Sequence, residues 1–309
     1  MHYPTIAVVS PGDMGHAVGR SLRAGGHRVV TALAGRSARS RAFAAEVGLE
    51  DAGDLAGVMA TADLVLSIMP PAAALDFARE SAAAMGAVGR TPHFADCNAV
   101  SPMTVRAIED VITAAGAAFS DCGIVGPPPG RGGSGFVQGK NQPTRLYVSG
   151  PLSETLSDLD GHGVSVRRMG PEIGRASAMK MVYAAINKGT LALLTATLIA
   201  AERLGVTDDL MAELDYSQKS THDRIRAAVG WLATDAGRWT GEMEEIAATF
   251  AAAGATPLFH EGARDVYALL ATTPLAAEKR ETADRTRSLE ESLRIFAAAA
   301  PPAARSGAA

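Results

Sequence analysis

The chain has 309 residues, enough for one large or two ordinary domains, with 47% hydrophobic residues and a formal net charge of −4. Its 29 basic residues are 24 arginines and five lysines, and both halves are close to neutral, with 12 basic against 15 acidic residues over 1–165 and 17 against 18 over 166–309. This balance lacks the basic stripe of a general nucleic-acid binder, no apolar run approaches the roughly 18–20 residues that span a bilayer, and the opening Met-His-Tyr-Pro has no basic n-region of a secretory signal. Two cysteines, Cys97 and Cys122, make neither a disulfide framework nor a metal site. The expectation is a cytoplasmic, alanine-rich globular protein (61 alanines) that uses neither nucleic acid nor membrane as partner.

Residues 5–10 read as a short buried strand, followed by a glycine turn and a helix over 14–24 that Gly25-Gly26 ends. A second strand over 29–33 and a helix over 38–47 follow, then a strand over 62–69 stopped by Pro70-Pro71. An alanine-rich helix, a strand at 93–97, a helix from Pro102 to 115 and a strand at 117–121 continue the alternation. Strands alternating with helices of about 10–15 residues predict parallel βαβ units, and a sheet buried on both faces explains the near-continuous apolar runs. Residues 123–143, with Pro127-Pro128-Pro129-Gly130-Arg131, form no regular element, and 146–149 and 164–166 read as closing strands. The period then changes. One helix of about 30 residues is predicted over 172–204 from its helical spacing, with further helices over 208–229, 240–253, 259–271 and 274–299. The predicted fold class is therefore an α/β Rossmann-type N-terminal domain, residues 1–168, followed by an all-α C-terminal domain, residues 169–300, and a frayed tail, 301–309.

The first turn, Ser10-Pro11-Gly12-Asp13-Met14-Gly15, carries the second and third glycines of a G-x-G-x-x-G dinucleotide fingerprint, with Ser10 at the first. Gly12 permits close approach of a pyrophosphate, Gly15 permits close packing of helix on strand, and the N–H groups of the helix start, at Asp13 and Met14, face the anion. NAD enzymes place an acid about 20 residues further on, yet no acid stands between Asp13 and Glu46. The second strand leads instead into Arg36-Ser37, followed by Arg39 and Arg41. A basic helix start opposes the helix dipole, whereas Arg36 and Ser37 suit a 2′-phosphate through charge-assisted hydrogen bonds. The cofactor expected is NADP(H).

With these pieces in place, the chain resembles the β-hydroxyacid dehydrogenase family, which includes 3-hydroxyisobutyrate and tartronate semialdehyde reductases and has 6-phosphogluconate dehydrogenases and imine reductases as relatives. The similarity covers nearly the whole chain. Met14-Gly15 match the opening turn, and Ile68-Met69-Pro70 stand at the family's cofactor-flanking loop. Asp96-Cys97-Asn98-Ala99-Val100-Ser101-Pro102 is similar to D-x-S-T-x-x-P, which implies a cofactor contact at Asn98. Asp121-Cys122-Gly123-Ile124-Val125-Gly126 corresponds to the substrate loop D-A-P-V-S-G, implying substrate contacts at Asp121, Gly123, Val125 and Gly126. Gly174-Arg175-Ala176-Ser177-Ala178-Met179-Lys180 looks like G-x-G-x-x-x-K, whose lysine is the family's catalytic residue. Tyr183 and Ala184 replace the two asparagines that follow in the family. Because positions i, i+3 and i+7 share a helix face, Tyr183 and Asn187 are expected beside Lys180 as substrate contacts. The segment 239–247 resembles the K-D-L-x-L-A helix, keeping its acid as Glu245, a cofactor contact by this correspondence, with Glu244 at the lysine position. The C-terminal part looks like a poorly characterised branch of the family.

The resemblance implies hydride transfer between the nicotinamide and a small carbonyl or hydroxy compound, a β-hydroxy acid or aldehyde, with Lys180 as proton donor and acceptor. Arg131 in the glycine-rich loop and His222 and His260 in the helical domain are further candidates to face the substrate, His260 being carried among the substrate contacts. Imine reduction is the first alternative: retained Lys180 speaks against it, while Glu244 suits a cationic substrate. A decarboxylating dehydrogenase would need a longer helical domain, and a non-catalytic cofactor-binding protein is the last alternative. Family members pair through their helical domains, so a homodimer is expected, with the active site between the two domains.

Overall fold

The computed structural model describes residues 3–130, 143–279 and 283–302. The calls on Arg131 and most of the tail therefore lie outside the described residues. Eight strands form one sheet in the order β3-β2-β1-β4-β5-β6-β7-β8: β1 (Thr5–Val9), β2 (Arg28–Thr31), β3 (Glu50–Asp51), β4 (Leu64–Ser67), β5 (His93–Asp96), β6 (Phe119–Val125), β7 (Thr144–Ser149) and β8 (Val164–Arg168). All neighbours run parallel except β6 and β7. Successive side chains point to opposite faces of a strand, so Ile6 and Val8 join one apolar cluster with Leu64, Leu66 and Ile124, and Ala7 and Val9 join the other with Val65, Phe94 and Ile108. Both faces are buried, as the apolar runs predict.

The connecting helices are α1 (Asp13–Ala24), α2 (Ala38–Glu46), α3 (Leu55–Thr61), α4 (Ala74–Val88) and α5 (Pro102–Ala114). Two elements, β3 and α3, fall where the sequence reading placed none. Strand β3 is only two exposed residues with no apolar alternation, and α3 is a seven-residue helix started by the Asp54 carboxylate, which accepts from the Gly57 N–H at 2.9 Å. Parallel order puts the carboxyl ends of β1, β2, β4, β5 and β6 along one edge of the sheet. Ligands of open α/β sheets bind at that edge.

The long helix is continuous over Arg175–Leu204. It comprises α6 (Arg175–Ala184), a π-helical turn (Ala185–Gly189) and α7 (Thr190–Leu204). By length and composition alone it could cross a membrane, but a core helix passes the same test. Leu191, Ala192, Thr195, Leu198 and Ile199 of α7 are indeed buried. The remaining helices are α8 (Thr207–Ser217), α9 (Lys219–Ala228), α10 (Ala233–Ala252), α11 (Leu258–Ala271) and α12 (Leu289–Ala299). The single helix expected over 208–229 is broken at Gln218, whose ψ of 55° leaves the helical region. The one expected over 274–299 is also corrected. Pro274 opens only a short 3₁₀ turn, and α12 starts afresh at a capping box in which Ser288 Oγ accepts from the Glu291 N–H and the Glu291 carboxylate from the Ser288 N–H.

The chain divides into two compact units, residues 1–183 with 248–253, and residues 184–247 with 254–309. The first unit continues past the expected boundary at 168 because the start of α6 is bonded into the sheet, as described next.

Candidate cofactor and active site

The turn after β1 shows why two of its glycines are there. A Cβ on Gly15 would lie 2.0 Å from the Ser10 carbonyl oxygen, so α1 can approach β1 this closely only without a side chain. Gly12 is the opposite case: a Cβ there would meet nothing within 4 Å. The protein itself does not require glycine at position 12, and the open space over it fits a ligand phosphate approaching the backbone. Gly12 is the N-cap of α1 and supplies no capping side chain, so the helix start keeps the donors and the positive potential that anions use. His16 is buried and fixes the turn, its Nδ1–H donating to the Gly12 carbonyl at 2.8 Å. These residues fit a nicotinamide dinucleotide, whose pyrophosphate Gly12 and the N–H groups of Asp13, Met14 and Gly15 would hold. Met14 is also packed against the apolar cluster on one sheet face.

The loop after β2 turns at Gly35, where φ is +68°. Ser37 is the N-cap of α2 and accepts from the Ser40 N–H at 3.2 Å. Arg36 precedes it, half-exposed, with its carbonyl accepting from Arg41 Nε. Both lie at the carboxyl edge beside the β1 turn. Arg39 donates to Asp13 at 3.1 Å, a tie that the sequence showed only as part of a basic run. Asp51 of β3 stands opposite Thr31 and accepts from the Leu33 N–H at 3.1 Å, which brings an acid to the end of β2 after all. Only strand pairing reveals it, because Asp51 is remote in sequence.

Asn98 was expected to touch the cofactor, but its side chain is buried and engaged. Its Oδ1 accepts from the Met69 N–H at 2.6 Å, and its Nδ2 donates to Ser67 Oγ at 2.8 Å and to Asp96 Oδ1 at 2.6 Å. It therefore ties the loop after β5 to the Met69-Pro70 loop after β4. Asp96 is wholly buried, and burial, helped by neighbouring Asp121, pushes its carboxyl up to about 7.

Asp121, expected as a substrate contact, is engaged in the same way. It is 0% exposed, with its carboxylate turned into the protein. Oδ1 accepts from Ser177 Oγ at 2.7 Å, and Oδ2 from Ser149 Oγ and the Gly174 and Ser177 N–H groups at 2.9–3.0 Å. Burial raises its carboxyl against these bonds. The Ala176 N–H donates to Ser149 Oγ as well. The start of α6 is thus capped by strands β6 and β7. Gly123 completes the fit: a Cβ there would lie 2.8 Å from the Ala176 carbonyl oxygen and 3.0 Å from Lys180 Cβ. Gly123 consequently serves helix packing, and the buried Val125 side chain belongs to the sheet core. Gly126 follows with φ +113°. Pressed onto β6 in this way, α6 holds Lys180 half-buried, with Nζ donating to the Ile124 carbonyl at 2.5 Å. The expected catalytic lysine and its substrate-loop neighbours therefore do come together at the carboxyl end of β6. Tyr183 lies one turn further on the same helix, half-buried.

Asn187, His260 and Glu245 belong to the second unit. The π-turn inserts an extra residue into the α-helical ladder, so Asn187 no longer keeps the spacing that would align it with Lys180 and Tyr183. Carbonyls of this turn accept from side chains: Asn187 O from Arg224 Nη2 at 3.1 Å and Lys188 O from the Tyr267 hydroxyl at 2.7 Å. His260 is buried, its ring beside Gly189, and burial lowers its pKa. His222 sits apart from these, bonded to Asp223 and Arg226. Glu245 is half-buried on α10. One turn away, buried Glu242 pairs with Lys188 and accepts from Arg238 at 2.9 Å, and Lys188 lies 5.4 Å from the Trp239 ring centroid. Sequence reasoning missed this pair, although Lys188 is another of only five lysines.

A parallel sheet with a glycine-containing turn at its carboxyl edge is the architecture of a dinucleotide-binding domain. Residues 5–137 match the family described as the NAD binding domain of 6-phosphogluconate dehydrogenase, and residues 201–270 match a domain of unknown function, DUF1932. Together the two matches support the resemblance to β-hydroxyacid dehydrogenases with a divergent C-terminal domain. An uncharacterized 28.5 kDa protein of Methanothermus fervidus is 27% identical over 190 residues, 62% of this chain and 68% of that protein. The solved structure of MTH1747, a conserved protein of unknown function described as similar to 3-hydroxyacid dehydrogenases, is 27% identical with a TM-score of 0.61, covering 86% of this chain and 96% of its own. The 3-hydroxyisobutyrate dehydrogenase of Mycobacterium tuberculosis, solved with L-serine, shares the fold at 17% identity, with a TM-score of 0.66 over 95% and 99% of the two chains. The first unit accordingly carries a nicotinamide-dinucleotide-binding fold.

Proposed function

We propose that the protein is an NADP(H)-dependent dehydrogenase or reductase of small carbonyl or hydroxy compounds, β-hydroxy acids or aldehydes, with Lys180 as the proton donor and acceptor. The observation that carries this reading is the placement of Lys180. Its ammonium is held 2.5 Å from the Ile124 carbonyl by a helix that the buried Asp121 caps and that Gly123 lets close onto β6. The bound nicotinamide supplies or accepts the hydride. The protein's part is to hold one proton at Lys180 Nζ, donate it to a substrate oxygen as charge develops there, and in oxidation take it back. The bond to Ile124 fixes the direction in which Nζ presents its remaining hydrogens. Backbone groups of Gly126 and its neighbours, and Tyr183, orient the substrate. The 2′-phosphate preference rests on Arg36 and Ser37 at the end of β2. The protein acts in the cytoplasm as a homodimer joined through the helical domain, where Ile186 and Leu193 are 68% and 66% exposed.

The test is a Lys180→Ala variant assayed with NADPH against aldehydes, keto acids and cyclic imines. NADPH binding, read by its fluorescence, is expected to persist while turnover falls by about two to four orders of magnitude. Unchanged turnover would remove Lys180 from the chemistry. Turnover of imines alone by the wild type would replace C=O by C=N as the bond reduced.

A further inference from the structure

We propose that Arg39 determines cofactor affinity through Asp13, by neutralising a carboxylate that the protein places at its own phosphate-binding helix end. The proposal rests on the assignment of the β1–α1 turn to a nicotinamide dinucleotide. Asp13 is the first residue of α1, directly after Gly12. An acid in the first turn stabilises the helix itself. The same acid occupies, with like charge, the positive potential that attracts the cofactor's phosphates. A dinucleotide site with an uncompensated carboxylate at this point would repel its ligand.

Arg39 supplies the compensation. Its Nη2 lies 3.1 Å from both carboxylate oxygens of Asp13. The guanidinium is also held from below, 4.5 Å from the centroid of the Phe43 ring. Phe43 in turn stacks on His16, with centroids 4.2 Å apart and planes 16° from parallel. His16 closes the circuit by donating to the carbonyl of Gly12. The phosphate turn and the first turns of α2 are therefore linked twice, once by charge and once by stacked planar groups. Both charged side chains keep substantial solvent access, 41% for Arg39 and 35% for Asp13, so the pair contributes little to folding. Its effect lies in the charge seen by an anion arriving at the helix end. Because that effect is on the shared phosphates of the dinucleotide, it does not discriminate between cofactors with and without a 2′-phosphate.

The experiment is a double-mutant cycle, Arg39→Ala, Asp13→Asn and both together, with Arg39→Lys as a charge-preserving control. NADPH and NADH are titrated separately, and binding is read by nicotinamide fluorescence and by the shift in melting temperature. Arg39→Ala is expected to weaken both dinucleotides on the order of tenfold, the scale of a charge at a helix terminus. The double variant, net neutral like the wild-type pair, is expected to recover to within about twofold of wild type, and Arg39→Lys to stay near wild type, since charge rather than fork geometry carries the effect. A loss confined to NADPH that Asp13→Asn does not restore would make Arg39 a direct 2′-phosphate ligand and overturn the proposal. An unchanged affinity in Arg39→Ala would overturn it too. A wild type that binds neither dinucleotide would instead remove the cofactor assignment, and the proposal with it.

Discussion

Truncating Asp121 to alanine tests the main structural link between the sheet and α6, the helix that carries Lys180. The carboxylate accepts four hydrogen bonds, two from backbone N–H groups and two from hydroxyls. After Asp121→Ala the serine hydroxyls can rotate toward other acceptors, but the Gly174 and Ser177 N–H groups are left without this acceptor in a buried setting. An orphaned buried donor costs about 1–3 kcal/mol, so two cost about 2–6 kcal/mol. Relief of the desolvated charge, which is what raises the carboxyl of Asp121, offsets part of that, leaving a net loss of about 3 kcal/mol. This is a large share of the roughly 5–15 kcal/mol that holds a typical domain folded. Asp121→Asn keeps one oxygen able to accept the three bonds now made by Oδ2, and its new N–H can donate to Ser177 Oγ, so it should cost about 1 kcal/mol. Urea denaturation followed by far-ultraviolet circular dichroism gives the stabilities, and hydrogen exchange at 174–177 locates the effect. Turnover should fall in Asp121→Ala along with exchange protection, because Lys180 loses its mounting. If Asp121→Ala loses less than about 1 kcal/mol, or if the amides at 174–177 stay protected, the cap is not what holds α6.

Two other perturbations follow from the same geometry. Gly15→Ala would drive a methyl to 2.0 Å from the Ser10 carbonyl oxygen, so the turn must open; a loss of about 1–3 kcal/mol and weaker dinucleotide binding are expected by thermal melt and titration, and a fully stable variant would show that α1 can shift freely. The pH profile of stability should reflect two buried groups of opposite sense. Asp96, raised to about 7 from 3.8, keeps a proton that the unfolded chain has released, so its contribution falls as pH rises through that window. Buried His93, lowered to about 4 from 6.5, refuses a proton that the unfolded chain takes up, so its contribution falls as pH drops from 6.5. Between pH 5 and 8 the two slopes largely cancel. At about 1.4 kcal/mol per pH unit, Asp96→Asn should become more stable by about 2 kcal/mol across that rise, and His93→Gln less stable by about 3 kcal/mol. Parallel profiles for the wild type and both variants would show that neither group titrates as assigned.

Much of the first unit was legible in the sequence because it follows from local rules. Alternating apolar strands and helices, the glycines at 12 and 15 and the prolines that stop β4 and open α5 depend on neighbours a few residues away. Lys180 stood out because a short motif and a scarcity of lysine coincide there. Elements whose signal is weak locally were missed: β3 has two residues, and α3 is a single capped pair of turns. The helices after 204 were found as helical but wrongly divided, since the break at Gln218, the end of the turn at Ala277 and the fresh start at the Ser288 cap come from caps and backbone angles inside otherwise helical composition.

The roles of the polar residues are another matter. Asp121 and Asn98 read as contacts because a linear motif cannot say which way a carboxylate or amide is turned. Strand pairing and the docking of α6 turn both inward, where buried polar groups must find partners, and they become the fasteners of the site. The ties Arg39–Asp13 and Asp51–Leu33 join residues 26 and 18 positions apart, separations that no local periodicity encodes. The sequence by itself determined most of the strands and helices of the first unit and singled out Lys180 as a candidate. Only the packed sheet decided which acids are exposed, which are capped and which neutralise a cation, because burial and charge pairing are properties of distance in space and not of distance along the chain.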